Sequence, residues 1–170
     1  GKPVVLILLS GSALAVNWAD EHIPAIIQGW YPGAQGGKAM AEILFGEKNP
    51  EGKLPVTFYR STEELPEFTD YSMKGRTYRY MQSEALYPFG YGLSYADFAV
   101  SDIDYHACTS KIHVTMTVTN ISEKYKGKYV AQVYYGAPQM GTGSAKLGKP
   151  SKVLGGWAKT KELAPGKSQT

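Results

Sequence analysis

Two carboxyl groups held in unlike surroundings can serve as acid and base, so the acidic side chains are where chemistry would first show. Asp20, Glu21, Glu42 and Glu47 fall on or beside segments that read as short helices, while Glu63, Glu64, Glu67 and Asp70 crowd into one polar stretch. None is flanked by the apolar wall or the cationic partner needed to separate two pKa values, so each reads as solvated surface. No acid/base pair can be assembled from them. His22, His106 and His113 share no metal-ligand spacing, and Cys108, the single cysteine, supplies neither a disulfide framework nor a structural zinc site. Ser10 and Ser12 lack the strained Gly-x-Ser-x-Gly turn of a serine hydrolase. In Gly33-Ala-Gln-Gly-Gly-Lys38 the glycine spacing fits no nucleotide fingerprint, and Ala39 stands where a hydroxyl should reach magnesium. Tight helix packing accounts for those glycines. Asn120-Ile-Ser122 is a candidate glycosylation acceptor, and Lys124, Lys126 and Lys128 read as a polar turn.

Binding chemistry is better represented than bond-breaking chemistry. Ser10, Ser12 and Trp30 are the candidate substrate-binding residues: serine hydroxyls can hydrogen-bond a polar ligand, and an indole can stack on an apolar face. A glycine-serine turn and a buried aromatic are the competing explanation. Arg76, Tyr78, Arg79 and Tyr80 form a second dense cluster, which could bind a polar ligand or equally stack its arginines on tyrosines and pair them with carboxylates across a domain interface.

The elements that would position these residues follow from hydrophobic period. Val4 to Leu9 is a continuous apolar run stopped by Ser10-Gly-Ser12, the pattern of a strand covered on both faces in a parallel sheet. Asn17 to Glu21 reads as a short helical turn and Ile23 to Trp30 as a second buried strand. Ligands of open α/β sheets collect beyond the carboxyl ends of the strands, so both candidate segments face one cleft. Gly36 to Phe45 reads as a helix that stacks Ala39 on Ile43 and Met40 on Leu44, with Gly46 placed to end it. Leu54 to Tyr59 reads as a third short strand, and Arg76 to Tyr80 alternates as an extended one. After the glycine and aromatic linker Pro88 to Tyr95, helix-period segments disappear. Val100 to Tyr105, Ile112 to Thr119, Tyr129 to Tyr135 and Val153 to Trp157 alternate as strands of a two-layer sandwich. These divide the chain near Phe98. Four strands fall short of the about seven of an immunoglobulin-like sandwich. That shortage, an apolar strand starting at once after Gly1-Lys-Pro3, and Leu163 to Thr170 reading as a turn into a further strand give the expectation that both ends are cut.

Composition sets outer limits. Apolar content of 43% with 19% charged residues is ordinary for a chain that buries a core. A net charge of +3, with basic residues scattered among acidic ones, gives no reason to expect a nucleic acid or an anionic membrane as partner. The longest apolar run is far below the about 20 residues of a membrane-spanning helix. Cytoplasmic and secreted locations both remain open.

Several motifs occur in order. Lys2-Pro-Val-Val-Leu6 with Ser10-Gly-Ser12 precedes Trp30-Tyr-Pro-Gly33 with Gly36-Gly37; then come Ile43-Leu-Phe-Gly46, Asn49-Pro50 and Gly52-Lys-Leu-Pro55. Gly75-Arg-Thr-Tyr-Arg79 and Pro88-Phe-Gly-Tyr-Gly-Leu-Ser-Tyr95 complete the series. Together they resemble family 3 glycoside hydrolases of the β-xylosidase and β-glucosidase type. The resemblance implies an α/β fold: residues 1–97 as the second half of the family's α/β sandwich domain, and 98–170 as the N-terminal part of a fibronectin type III-like β-sandwich. The family's (β/α)8 barrel would precede both.

That resemblance implies retaining, exo-acting hydrolysis of β-linked oligosaccharides by two carboxyls about 5 to 5.5 Å apart. The nucleophile belongs to the barrel, and the acid/base glutamate precedes the strand beginning at Val4, so no catalytic residue is carried over and the fragment alone is expected to be inactive. Carboxylate chemistry needs no cofactor, and none is expected. Lys74-Gly75, where many glucosidases carry Glu-Gly, leans toward the xylosidase-like branch. The expected partners are an oligosaccharide substrate, met through the full-length enzyme, and the N-terminal barrel. Two alternatives stand beside this: a non-enzymatic carbohydrate-binding or adhesion module, and a nucleotide-binding α/β protein.

Overall fold

The computed structural model describes residues 1–136 and 148–170. The first elements are β1 (Val5–Leu8), α1 (Asn17–His22), β2 (Ala25–Gln28) and α2 (Gly36–Leu44). β1 and β2 pair in parallel, from Val5 opposite Ala25 to Leu8 opposite Gln28, with α1 as the connection. The apolar runs do form parallel strands, but shorter than the runs themselves. Coverage differs from expectation: Val4, Val5 and Leu9 are exposed, because two strands and two short helices cannot blanket both faces. α2 ends as its sequence indicates. Gly46 takes φ +74°, the left-handed conformation that a residue with a Cβ resists, and its N–H donates to the Ile43 carbonyl at 2.9 Å.

Two expected strands are absent among the described residues, each for a local reason. Leu54 to Tyr59 pairs with 86–91 through isolated bonds, Leu54 N–H to Tyr91 O, Gly90 N–H to Leu54 O and Phe58 N–H to Tyr87 O, and only Phe58 and Tyr87 form a bridge. Pro55 and Pro88 have no N–H to donate, so no continuous ladder can form. Arg76 to Tyr80 is not extended either; Thr77–Tyr80 is a single helical turn, α3. Its first amides are satisfied from outside: Thr77 N–H donates to the Tyr59 hydroxyl at 2.7 Å and Tyr78 N–H to Thr57 Oγ1 at 3.1 Å. The alternating pattern was compatible with either conformation, and these two tertiary acceptors decide it.

The rest is strand. β3 (Phe98–Ala107), β4 (Ile112–Asn120) and β7 (Ser168–Gln169) form one antiparallel sheet in the order β3-β4-β7, and β5 (Val130–Tyr135) pairs with β6 (Val153–Lys159) in another. On β4 the alternation holds from Val114 onward, with Val118 and Asn120 buried and Thr115 exposed, while Ile112 at the start of the strand is exposed instead of inward. The register of β3 shifts between Ser101 and Asp104, where Asp102 takes φ +49° in a bulge. Pro165 and Gly166 turn the chain into β7, with Gly166 at φ +72° and Lys167 N–H donating to Ala164 O at 3.0 Å.

The linker Pro88 to Tyr95 fastens these parts together. Gly90 takes φ +83°, and a Cβ there would lie 2.2 Å from Gln132 Oε1; one on Gly92 would lie 2.3 Å from the Gly52 carbonyl oxygen. Asn49 accepts the Tyr95 N–H at 2.8 Å and exchanges hydrogen bonds with Ser94. Glu51 accepts the Lys128 N–H at 3.0 Å and pairs with Lys159 at 3.1 Å. Tyr78 stacks on Phe89 with centroids 4.4 Å apart and accepts the Leu154 N–H at 3.1 Å. Burial pushes the Tyr78 phenol up, but the Leu154 amide and the nearby Arg79 and Lys152 charges outweigh it and hold the group below its ordinary value. The arginine and tyrosine cluster is thus joined to β6.

Candidate functional site

Because β1 and β2 run parallel, the segments that follow them emerge at the same edge. Ser10 and Ser12 leave β1 there, and Trp30 and Tyr31 leave β2. Ser10 Oγ donates to the Ser12 carbonyl at 2.9 Å, and Gln28 Nε2 donates to Ser10 Oγ at 3.1 Å and to Ser10 O at 3.2 Å. The turn is therefore tied to the neighbouring strand. Gln28 Oε1 is buried and has no partner among the described residues.

The two aromatics diverge. Trp30 takes φ +52°, a strained conformation for a bulky side chain, and its ring meets Phe58 edge-on at 6.2 Å. Tyr31 is 80% exposed and lies over the turn: a Cβ on Gly11 would approach its ring to 2.7 Å. Ser10, Ser12, Gln28 and Tyr31 are thus brought together, with Trp30 turned toward the interior. Gln28 was missed by sequence reasoning; the signal available was a polar side chain closing an apolar strand.

From Trp30 a chain of aromatic contacts runs inward. Phe58, only 1% exposed, meets Tyr87 edge-on at 5.9 Å, and Tyr87 stacks on Tyr91 at 5.4 Å. Tyr87 also donates its hydroxyl proton to Asp20 Oδ1 at 2.6 Å. Burial, then the Asp20 bond and charge, push the Tyr87 phenol well above its ordinary value. A groove of about 370 Å³ opens here, lined by Asp20, Glu84, Tyr87 and Tyr91 among others. It is separate from the surface of Ser10 and Ser12.

Several acidic side chains are engaged by protein partners. Asp20 accepts from Tyr87, Glu42 faces Lys38 at 3.8 Å, and Glu162 faces Lys126 at 2.8 Å. Glu64 completes a capping box with Ser61, and Asp70 accepts from the Ser72 N–H at 2.8 Å. Among the described residues no three of His, Cys, Asp and Glu gather as metal ligands. His22 stacks on Trp18 at 4.7 Å, while His106 and His113 face each other across β3 and β4. Asn120 corrects the glycosylation reading: it is fully buried and its Nδ2 already donates to Tyr125 O and Leu163 O, leaving no accessible amide.

Residues 1–95 match the sequence profile of the glycosyl hydrolase family 3 C-terminal domain. The chain belongs to glycosyl hydrolase family 3. It is similar to a xylan 1,4-β-xylosidase of Xylanibacter ruminicola, 49% identical over 136 residues, which covers 79% of this chain and 16% of that protein. A periplasmic β-glucosidase of Salmonella typhimurium is 37% identical, with 100% of this chain and 23% of the relative covered. Among solved family 3 structures, β-glucosidase 3B of Thermotoga neapolitana in complex with glucose matches with a TM-score of 0.86 at 31% identity, covering 99% of this chain and 25% of that one. The chain thus spans a quarter or less of the length of these family 3 relatives.

Proposed function

We propose that this chain is the C-terminal portion of a retaining, exo-acting β-glycosidase, a β-xylosidase or β-glucosidase acting on β-linked oligosaccharides. The observation that carries the reading is the family 3 match over 1–95, joined to relatives named as xylosidases and glucosidases that extend well beyond this chain. Hydrolysis then needs a barrel domain for the nucleophile and a second carboxyl, both outside this chain. The enzymatic reading fits better than a stand-alone adhesion module, since the similar proteins are glycosidases along nearly all of this chain.

In this reading residues 1–97 are part of an α/β sandwich domain and 98–170 part of a fibronectin type III-like one. Among the described residues, the change from mixed helix and strand to strand elements alone after Tyr95 supports the division. Ser10 and Ser12 belong to the wall that faces the barrel, with Trp30 packed behind it against Phe58. The unpartnered Gln28 Oε1 beside Ser10 supports a polar ligand there, because a sugar hydroxyl would satisfy it.

The test is hydrolysis of an aryl β-glucoside and an aryl β-xyloside. The full-length enzyme containing this chain turns over at least one of them, and the chain alone neither. Ser12→Ala lowers kcat/KM of the full-length enzyme by about 2- to 10-fold, the loss of one hydrogen bond. Steady turnover by the isolated chain would overturn the reading.

A further inference from the structure

A second groove, about 310 Å³, lies where Pro88 to Tyr91 meets β5, away from Ser10, Ser12 and Trp30. Its charged lining residues are two lysines, Lys53 and Lys152, and no acidic residue is among the described residues that line it. Lys53 Nζ donates to the Gly92 carbonyl oxygen, which occupies one of its three N–H groups. Lys152 Nζ stands 5.5 Å from the centre of the Tyr134 ring. The groove is also held in shape. Tyr134 donates its hydroxyl proton to Gln132 Oε1 at 2.6 Å, and Gln132 Nε2 donates to the Gly90 carbonyl at 3.1 Å. That contact is possible only because Gly90 has no Cβ.

Two ammonium groups lining one concavity with no carboxylate among its walls attract an anion. Burial already holds the Lys53 ammonium below its ordinary range, so a facing negative charge would restore what lost water no longer supplies. The remaining walls argue for more than a simple ion. Tyr91, Tyr129 and Tyr134 offer apolar ring surface beside phenol hydroxyls, the combination that takes the C–H face and the hydroxyl groups of a sugar. We propose that this groove binds a uronic acid residue of a glycan, its carboxylate held by Lys53 and Lys152 and its ring set against the tyrosines. The sugar part of this assignment rests on the glycosidase reading; the carboxylate part rests on the lysines alone.

Calorimetric titration of the full-length enzyme with methyl β-glucuronide, methyl β-glucoside and acetate tests it, beside aryl glycoside hydrolysis in the same samples. Methyl β-glucuronide should bind at a site that Lys152→Gln weakens by about tenfold, with further weakening as salt rises from about 0.05 to 0.5 M. Lys152 is exposed, so this variant keeps the fold, and its hydrolysis rate should match that of the unaltered enzyme. Glucuronide binding unchanged by Lys152→Gln and Lys53→Gln, or absent, would overturn the proposal. Acetate binding as tightly as glucuronide would overturn its sugar part. Absent hydrolysis with intact glucuronide binding would count against the glycosidase reading and leave the groove standing.

Discussion

Replacing Asn120 by alanine should be among the most damaging single changes available in this chain. Its side chain is fully buried and makes bonds in three directions: Nδ2 donates to Tyr125 O at 2.9 Å and Leu163 O at 2.8 Å, and Oδ1 accepts the Ser122 N–H at 3.0 Å. Alanine strands the Ser122 N–H, while the Leu163 carbonyl keeps the Gly127 N–H at 3.1 Å and the Tyr125 carbonyl keeps the Ser122 hydroxyl at 2.8 Å. At about 1–3 kcal/mol for the stranded amide and about 0.5–1.5 kcal/mol for each of the two hydrogen bonds lost, the loss comes to about 2–6 kcal/mol. For a chain of this length that lowers Tm by about 4 to 24 °C. Asn120→Asp is the sharper variant, because it keeps the shape while turning an acceptor, or a buried charge, toward two carbonyl oxygens. Thermal and urea unfolding of the two variants, followed by circular dichroism, reads the effect. If both variants unfold within about 0.5 kcal/mol of the parent, the value usual for a surface site, the buried clamp is wrong.

The linker glycines give a graded series. Gly90→Ala should cost about 1–3 kcal/mol through its positive φ and its contact with Gln132, and Gly92→Ala at least as much because the obstacle is the Gly52 backbone; Gly37→Ala, which meets open space, should be neutral or stabilising by about 1 kcal/mol. Denaturant midpoints rank the three, and equal midpoints would refute the packing of the linker. Tyr87 predicts a pH effect. Its phenol holds the proton more tightly in the folded chain than in the unfolded one, where it leaves near pH 10.0. Its contribution is therefore whole below that pH and drains away as pH climbs above it. Tyr87→Phe should flatten that alkaline loss in a pH series of unfolding midpoints, and an unchanged slope would contradict the Tyr87–Asp20 bond.

Local period and turn chemistry wrote much of this fold into the sequence. The apolar runs ending at Ser10 and before Trp30, the i to i+4 spacing of α2 with Gly46 behind it, and the alternation of β4 all depend on neighbours within a few residues. The family resemblance was legible for a related reason: Gly90 and Gly92 are dictated by backbone conformation and close approach, so they leave a recognisable spelling. Tertiary structure decided the rest. Thr77–Tyr80 became helical because Tyr59 and Thr57 arrive with acceptors, and Leu54 to Tyr59 failed to form a ladder because Pro55 on its own side and Pro88 on the partner segment have no N–H to give. Asn120 reads as a surface acceptor in sequence and is buried in the fold, since the carbonyl of Leu163 that it binds lies 43 residues away. The same holds for Gln28 beside Ser10 and for the two lysines lining one groove. Backbone preference acts over one turn of chain, whereas hydrogen-bond satisfaction and charge proximity are properties of space, and only folding brings those partners within reach.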